Sequence, residues 1–159
     1  MFLMTNNPMC ASLLERYLRT RGRRYFRGHH DGEYFFVTGA RSRRLHVHFE
    51  ISPAHDDVLV IRVIPGYYFP AADRPWLTYF SERWNRQDRQ VTAIVHGSSD
   101  PQRIGVVARR SQWIRKGFSF EDFASFVDGI IADAVELFEE LSPVGELPST
   151  KPPLLRDAG

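Results

Sequence analysis

The chain has one cysteine, Cys10, only two lysines among its 21 basic residues, and no long apolar run. A lone thiol cannot close an internal disulfide, so nothing points to an oxidising compartment. No segment approaches the roughly 20 apolar residues needed to cross a bilayer. The opening MFLM is too short for the apolar core of a signal peptide. The expectation is a soluble cytoplasmic protein. An excess of one charge is also missing: the formal net charge is +2, so the chain as a whole is not built to hold a polyanion. Phosphate loops, dinucleotide glycine patterns, nucleophile elbows and HExxH or CxxC spacings are absent. No catalytic residue, cofactor or metal is therefore assigned from the sequence. The near-absence of lysine is read as genome composition, not function.

What is present describes one domain. At 159 residues the chain can bury a core without staples. Its 13% aromatic content favours a sheet with large cross-strand side chains. Charge is unevenly placed. Arg16, Arg19, Arg21, Arg23, Arg24, Arg27, Arg41, Arg43 and Arg44 crowd the front, and Glu121, Asp122, Asp128, Asp133, Glu136, Glu139 and Glu140 crowd the last helix. Such asymmetry either steers a partner or pairs internally.

Along the chain, residues 1–8 are expected to be frayed. Apolar residues from Met9 to Leu18 recur at helical spacing, predicting a first helix over about 9–21 that ends at Gly22. Residues 24–27 read as a short strand, Asp31-Gly32 as a hairpin turn, 33–38 as the return strand and 39–42 as the next turn. In 44–51, Leu45, Val47, Phe49 and Ile51 alternate with Arg44, His46, His48 and Glu50, the pattern of a strand with one wet face. Residues 58–64 are apolar on both faces apart from Arg62, so their second face needs cover. An aromatic loop, Tyr67 to Pro70, leads to a second helix over about 73–85, with Asp73 as candidate cap and Pro75 in its first turn. Strands follow at 91–96 and from 104 to about 114. The last helix, 119–141, carries a capping box, Ser119 to Asp122, and a staple, Phe118 with Phe123. The Pro-rich tail, 143–159, is expected to be disordered. The order is α-β-β-β-β-α-β-β-α: an α+β fold with a twisted antiparallel sheet of about five strands and three helices.

This order and several segments resemble the YbjN family. Those segments are LLERYLRTRG, FRGHHDGEYFFV, DVLVIRVI, WLTYFSERWNRQDRQVTAIV and VVARRSQWIRKGFSFEDFASFVDGIIADAVELFEEL. The likeness covers roughly residues 9–142. It implies a bacterial sensory transduction regulator with a type III secretion chaperone-like fold, which dimerises and binds other proteins without an active site. No catalytic residue carries over.

Four candidate sites remain. Arg21, Arg23, Arg24 and Arg27, interleaved with Tyr25 and Phe26, have the composition of a nucleic-acid patch, or of a solvated hairpin. His46 and His48 share one strand face, and His29, His30, Asp31, His55 or His96 would be needed to complete a metal set. Cys10 stands at a helix start, where the dipole favours a thiolate, or is an inert small residue. Tyr67, Tyr68, Phe69, Trp76, Tyr79, Phe80 and Trp84 are the aromatics of the loop and second helix. They are either core or the hot spots of a protein interface. The favoured reading is a non-enzymatic protein-interaction domain, chaperone-like or regulatory, acting as a homodimer. An arginine-driven nucleic-acid binder is the alternative, and a small enzyme or metal protein the third.

Overall fold

The computed structural model describes residues 9–40 and 43–141. Its elements are α1 (Met9–Thr20), β1 (Phe26–Arg27), β2 (Glu33–Ala40), β3 (Arg43–Ile51), β4 (Val58–Pro65), β5 (Phe69–Pro70), α2 (Arg74–Asn85), β6 (Thr92–Gly97), β7 (Arg103–Trp113) and α3 (Phe120–Leu141). All strand pairs are antiparallel, so the class is α+β as expected. The five full strands are β2, β3, β4, β6 and β7, and β1 and β5 add two residues each. The expectations for residues 1–8 and 143–159, and for turn residues 41 and 42, fall outside the described residues. No helix among the described residues is long and apolar enough to cross a membrane.

Two local expectations are corrected. The first strand shrinks from 24–27 to Phe26–Arg27, because only those residues pair with β2. Asp73 precedes α2 but its side chain caps nothing. A 3-10 turn, Ala71–Asp73, feeds straight into the helix, leaving Asp73 at φ −83°, ψ 1°. A capping side chain needs the extended geometry that this turn removes. The aromatic loop also supplies β5, whose Phe69 pairs with Ile104. Ile104 pairs on its other edge with Gly97 of β6. So β5 extends the line of β4 past Pro65 and Gly66.

The sheet is covered on one face. Tyr34 and Phe36 of β2, Leu45, Val47, Phe49 and Ile51 of β3, and Leu59, Ile61 and Val63 of β4 all point into a single buried cluster. Leu14, Tyr17 and Leu18 of α1, Leu77 and Trp84 of α2, and Phe123 to Leu141 of α3 fill it from the other side. α3 starts as the sequence indicates: the Asp122 amide donates to Ser119 Oγ at 3.1 Å, and the Phe118 and Phe123 rings meet edge-on at 6.3 Å. After α2, Asn85 acts as a one-residue strand partner. Its amide nitrogen donates to Ala93 O at 2.9 Å and its oxygen accepts from the Ala93 amide at 2.8 Å. That satisfies both backbone groups of Ala93 just as β6 begins.

Internal ion pairs use the acidic face of α3. The buried Tyr17 hydroxyl donates to Asp128 Oδ1 at 2.5 Å, and Arg21 Nη2 donates to Asp128 Oδ2 at 2.6 Å. Arg89 donates to Glu136 at 2.8 Å and the Gln90 amide to Asp133 at 2.6 Å. Burial alone would push the Asp128 carboxyl up, but the bonds from Arg21 and Tyr17 outweigh it and hold it below its ordinary value. A depressed carboxylate stabilises the fold above its unfolded value and loses that contribution as pH falls. Asp128→Ala should cost about 1–3 kcal/mol, because it strands the buried Tyr17 hydroxyl. Asp128→Asn, which keeps an acceptor, should cost less. Urea titrations from neutral pH to below about pH 4 should show the wild-type advantage over Asp128→Asn shrinking as the acid limb is entered. A constant gap would exclude the linkage.

Candidate functional site on the open face of the sheet

The second face of the sheet carries no helix among the described residues. Strand register lines up its side chains in rows. Phe26 faces Phe35, Phe35 faces His48, His48 faces Arg62, Arg62 faces Arg109 and Arg109 faces Thr92. A parallel row holds Val37, His46 and Ile64, with Ile94 opposite Val107 further on. Glu33 lies opposite Glu50, and Val58 opposite Trp113. Phe26, Phe35, Val37, Ile64, Ile94 and Trp113 are all exposed. Isolated apolar residues on a surface are ordinary; here six share one uncovered face, with His46, His48, Arg62 and Arg109 between them in the rows. Within the chain, α2 does not cover the second face of residues 58–64. α2 lies on the buried side, with Leu77 and Trp84 in the core.

At one corner of this face the polar groups converge. The β1–β2 turn, closed by Gly32 at φ +87°, carries His30 over the strands. Its Nε2 lies 3.1 Å from Glu50 Oε2 and 3.9 Å from Glu33 Oε1. Glu33 Oε2 lies 2.8 Å from His48 Nε2, and Glu33 Oε1 accepts the His29 amide at 2.8 Å. Arg62 donates to Glu50 Oε1 at 3.0 Å and reaches His48 Nδ1 at 3.4 Å. Phe35 stacks on His48 with ring centroids 4.5 Å apart. Burial pushes the Glu33 carboxyl up, but bonds from His48 and the His29 amide hold it below its usual value. The His30 contact, and then Arg62, hold Glu50 low, while the same Glu50 contact raises His30.

The structure sorts the candidates named from the sequence. Of the histidines, His30 and His48 meet in this corner, and His46 and His48 do share one face. His96 stands on β6, across the sheet. Glu33 and Glu50, the carboxylates that join the two histidines, were not among the candidates. The signal for them is cross-strand: two carboxylates placed directly opposite repel unless something positive lies between them. Of the arginines, Arg21 is paired with Asp128 and Arg27 with Glu15 at 3.2 Å. Arg23 donates to Thr38 Oγ1 and lies over the Phe36 ring. Arg24 is exposed, with no ion pair among the described residues.

Of the seven aromatics, Phe69 and Trp84 are core, a correction to their interface candidacy: both enter the buried cluster, and Trp84 Nε1 donates to Val91 O at 3.0 Å. Tyr67 and Phe80 are half-buried against it. Tyr68, Trp76 and Tyr79 are exposed. The i+4 stripe 76, 80, 84 thus runs from solvent into the core, with ring centroids 5.7 and 6.4 Å apart.

No family model matches the chain, and no curated protein matches it closely. Among solved structures it matches the crystal structure of YbjN from E. coli, described as a proposed transcription regulator. The TM-score is 0.63 at 16% identity, covering 82% of this chain and 90% of that one. The chain has the YbjN fold. At this identity the likeness extends to the fold alone.

Trp84→Ala should therefore lose about 3–5 kcal/mol in urea unfolding. Trp76→Ala and Tyr79→Ala should each stay within about 0.5 kcal/mol of wild type. A large loss at Tyr79 would show that its ring is structural.

Proposed function

We propose that the chain is a non-catalytic protein-interaction domain of YbjN-like fold, regulatory or chaperone-like, that works as a homodimer through the open face of its sheet. The carrying observation is one-sided cover. All three helices pack on one face, while the other presents Phe35, Val37, Ile64 and Ile94 in adjacent rows flanked by arginine and histidine. A two-fold pairing of identical faces would let each apolar row meet its counterpart, the self-complementary arrangement of most homodimers. Aromatic and arginine side chains together are the composition of interface hot spots. Three of the four front arginines are engaged within the chain, which supports a protein partner over nucleic acid. The description of YbjN as a proposed transcription regulator fits a domain that acts by binding. Exposed Tyr68, Trp76 and Tyr79 form a second surface, available to a further partner when the sheet faces are paired.

Light scattering at micromolar concentration should give twice the monomer mass. Ile64→Glu, which places a charge on the open face without entering the core, should yield a folded monomer. The double variant Trp76→Ala/Tyr79→Ala should stay dimeric. A monomeric wild type would overturn the homodimer. A dimer lost only in the helix-two variant would move the interface to α2.

A further inference from the structure

We infer that His30, Glu33 and Glu50 form a site for one divalent transition-metal ion, of which Zn²⁺ is the type, at the edge of the open sheet face. The inference is independent of the interaction reading. His30 Nδ1 lies 2.9 Å from the Asp31 carbonyl oxygen. A carbonyl only accepts, so Nδ1 carries the ring proton. A neutral ring then aims its Nε2 lone pair at Glu50 Oε2, 3.1 Å away. Two lone pairs at that distance repel unless a cation lies between them. Either a second proton or a metal ion meets the need. A backbone carbonyl fixing one ring nitrogen while the other is turned to a shared point is how metal-bound histidines are oriented.

The rest of the corner is arranged around the same point. One ligand atom from each of His30, Glu33 and Glu50 can be chosen so that all lie within 4.8 Å of one another. Nitrogen and oxygen ligands held at the usual bond lengths around a tetrahedral ion stand about 3.3 Å apart. The widest pair must therefore close by up to about 1.5 Å, roughly 0.75 Å from each side chain. Each carboxylate has one oxygen tied elsewhere, and Glu33 Oε1, turned to His30, also accepts the His29 amide at 2.8 Å with one of its two lone pairs. Arg62 takes Glu50 Oε1, and His48 takes Glu33 Oε2. Arg62, which only donates, faces His48 Nδ1. His48 therefore carries its proton on Nε2 and donates to Glu33, orienting that carboxylate. His48 is a positioning residue, not a ligand, with Phe35 stacked against its ring. The donor set, one imidazole and two carboxylates, suits borderline divalent ions better than Mg²⁺ or Ca²⁺, which prefer all-oxygen shells. His30 is partly exposed, so solvent can complete the coordination.

Gly28 offers a test that leaves every ligand chemically intact. A Cβ built there would fall 2.2 Å from Glu33 Oε1 and 2.4 Å from its carboxyl carbon. Gly28→Ala therefore expels the Glu33 carboxylate from the corner. No tag should be present, and the protein should be stripped with chelator and titrated with Zn²⁺ by calorimetry. Equilibrium dialysis with elemental analysis would give the stoichiometry. One equivalent per chain is expected. Glu50→Gln, which keeps size and removes charge, and Gly28→Ala should each weaken binding at least about 10-fold. His96→Ala, across the sheet, should bind as wild type. Circular dichroism confirms that each variant is folded. Should Gly28→Ala fail to fold, Glu50→Gln alone decides. No stoichiometric Zn²⁺ in folded wild type would overturn the site and leave His30 as an imidazolium paired with Glu50. Unchanged binding by Glu50→Gln, or its loss in His96→Ala, would place the ion elsewhere and overturn it equally.

Discussion

The two-residue alternation of the central strands is the constraint on which everything else in this molecule depends. In β3 it sends Leu45, Val47, Phe49 and Ile51 inward and His46, His48 and Glu50 outward. Antiparallel pairing transmits that choice to β2 and β4, because directly opposed residues share a face. A slip of one residue would bury the histidines and Glu50 and expose Leu45, Val47, Phe49 and Ile51, so register is firmly set. Once set, it forces all three helices to one side. It also leaves the other side to be defined by whatever the outward positions happen to be.

Those outward positions are neither uniformly polar nor uniformly apolar. Near the β1–β2 turn they are charged and aromatic: Glu33, Glu50, His48, Arg62 and Phe35. Toward the middle they are Val37, Ile64 and Ile94. The polar corner is also internally balanced. Arg62 offsets Glu50, and His48 is held between Arg62 and Glu33. The one contact that neutral side chains cannot satisfy is that of His30 with Glu50. A cation must stand between their two facing lone pairs, either a second proton on the ring or a metal ion.

Much of this could be read before any coordinates. The alternation in 44–51 gave the wet face of β3. The Ser119–Asp122 box and the Phe118–Phe123 staple marked the start of α3 to within a residue, since both signals are local. Local signals misled where tertiary context took over. Asp73 has the chemistry of a cap, but the preceding 3-10 turn denies it the geometry. Phe69 and Trp84 look like candidates for an interface because periodicity on a short helix cannot say which aromatic stripe meets the sheet. The Glu33–Glu50 juxtaposition was the least visible feature. The two residues are 17 apart, and only the pairing of β2 with β3 brings them face to face. Periodicity assigns each residue a face, whereas the site depends on which residue stands opposite, and that is set by turn length and register.

The arginine-rich front shows how position changes what a residue type means. As a linear stretch, Arg21 to Arg27 has the composition of a phosphate-binding segment. In the fold, Arg21 holds α1 to α3 through Asp128, and Arg27 joins β1 to α1 through Glu15. Arg23 lies flat over Phe36, at the margin of the core. Exposed pairs of this kind contribute little each, but Asp128 and Glu15 also accept from Tyr17 and Tyr34, which are buried. The arginines are therefore second partners to carboxylates that already satisfy hydroxyls at the rim of the core. A guanidinium already committed to a carboxylate would have to give up that bond before it could bind a phosphate. Arg21 and Arg27 are thus committed to carboxylates and Arg23 to Thr38, while Arg24 stays exposed without an ion pair among the described residues.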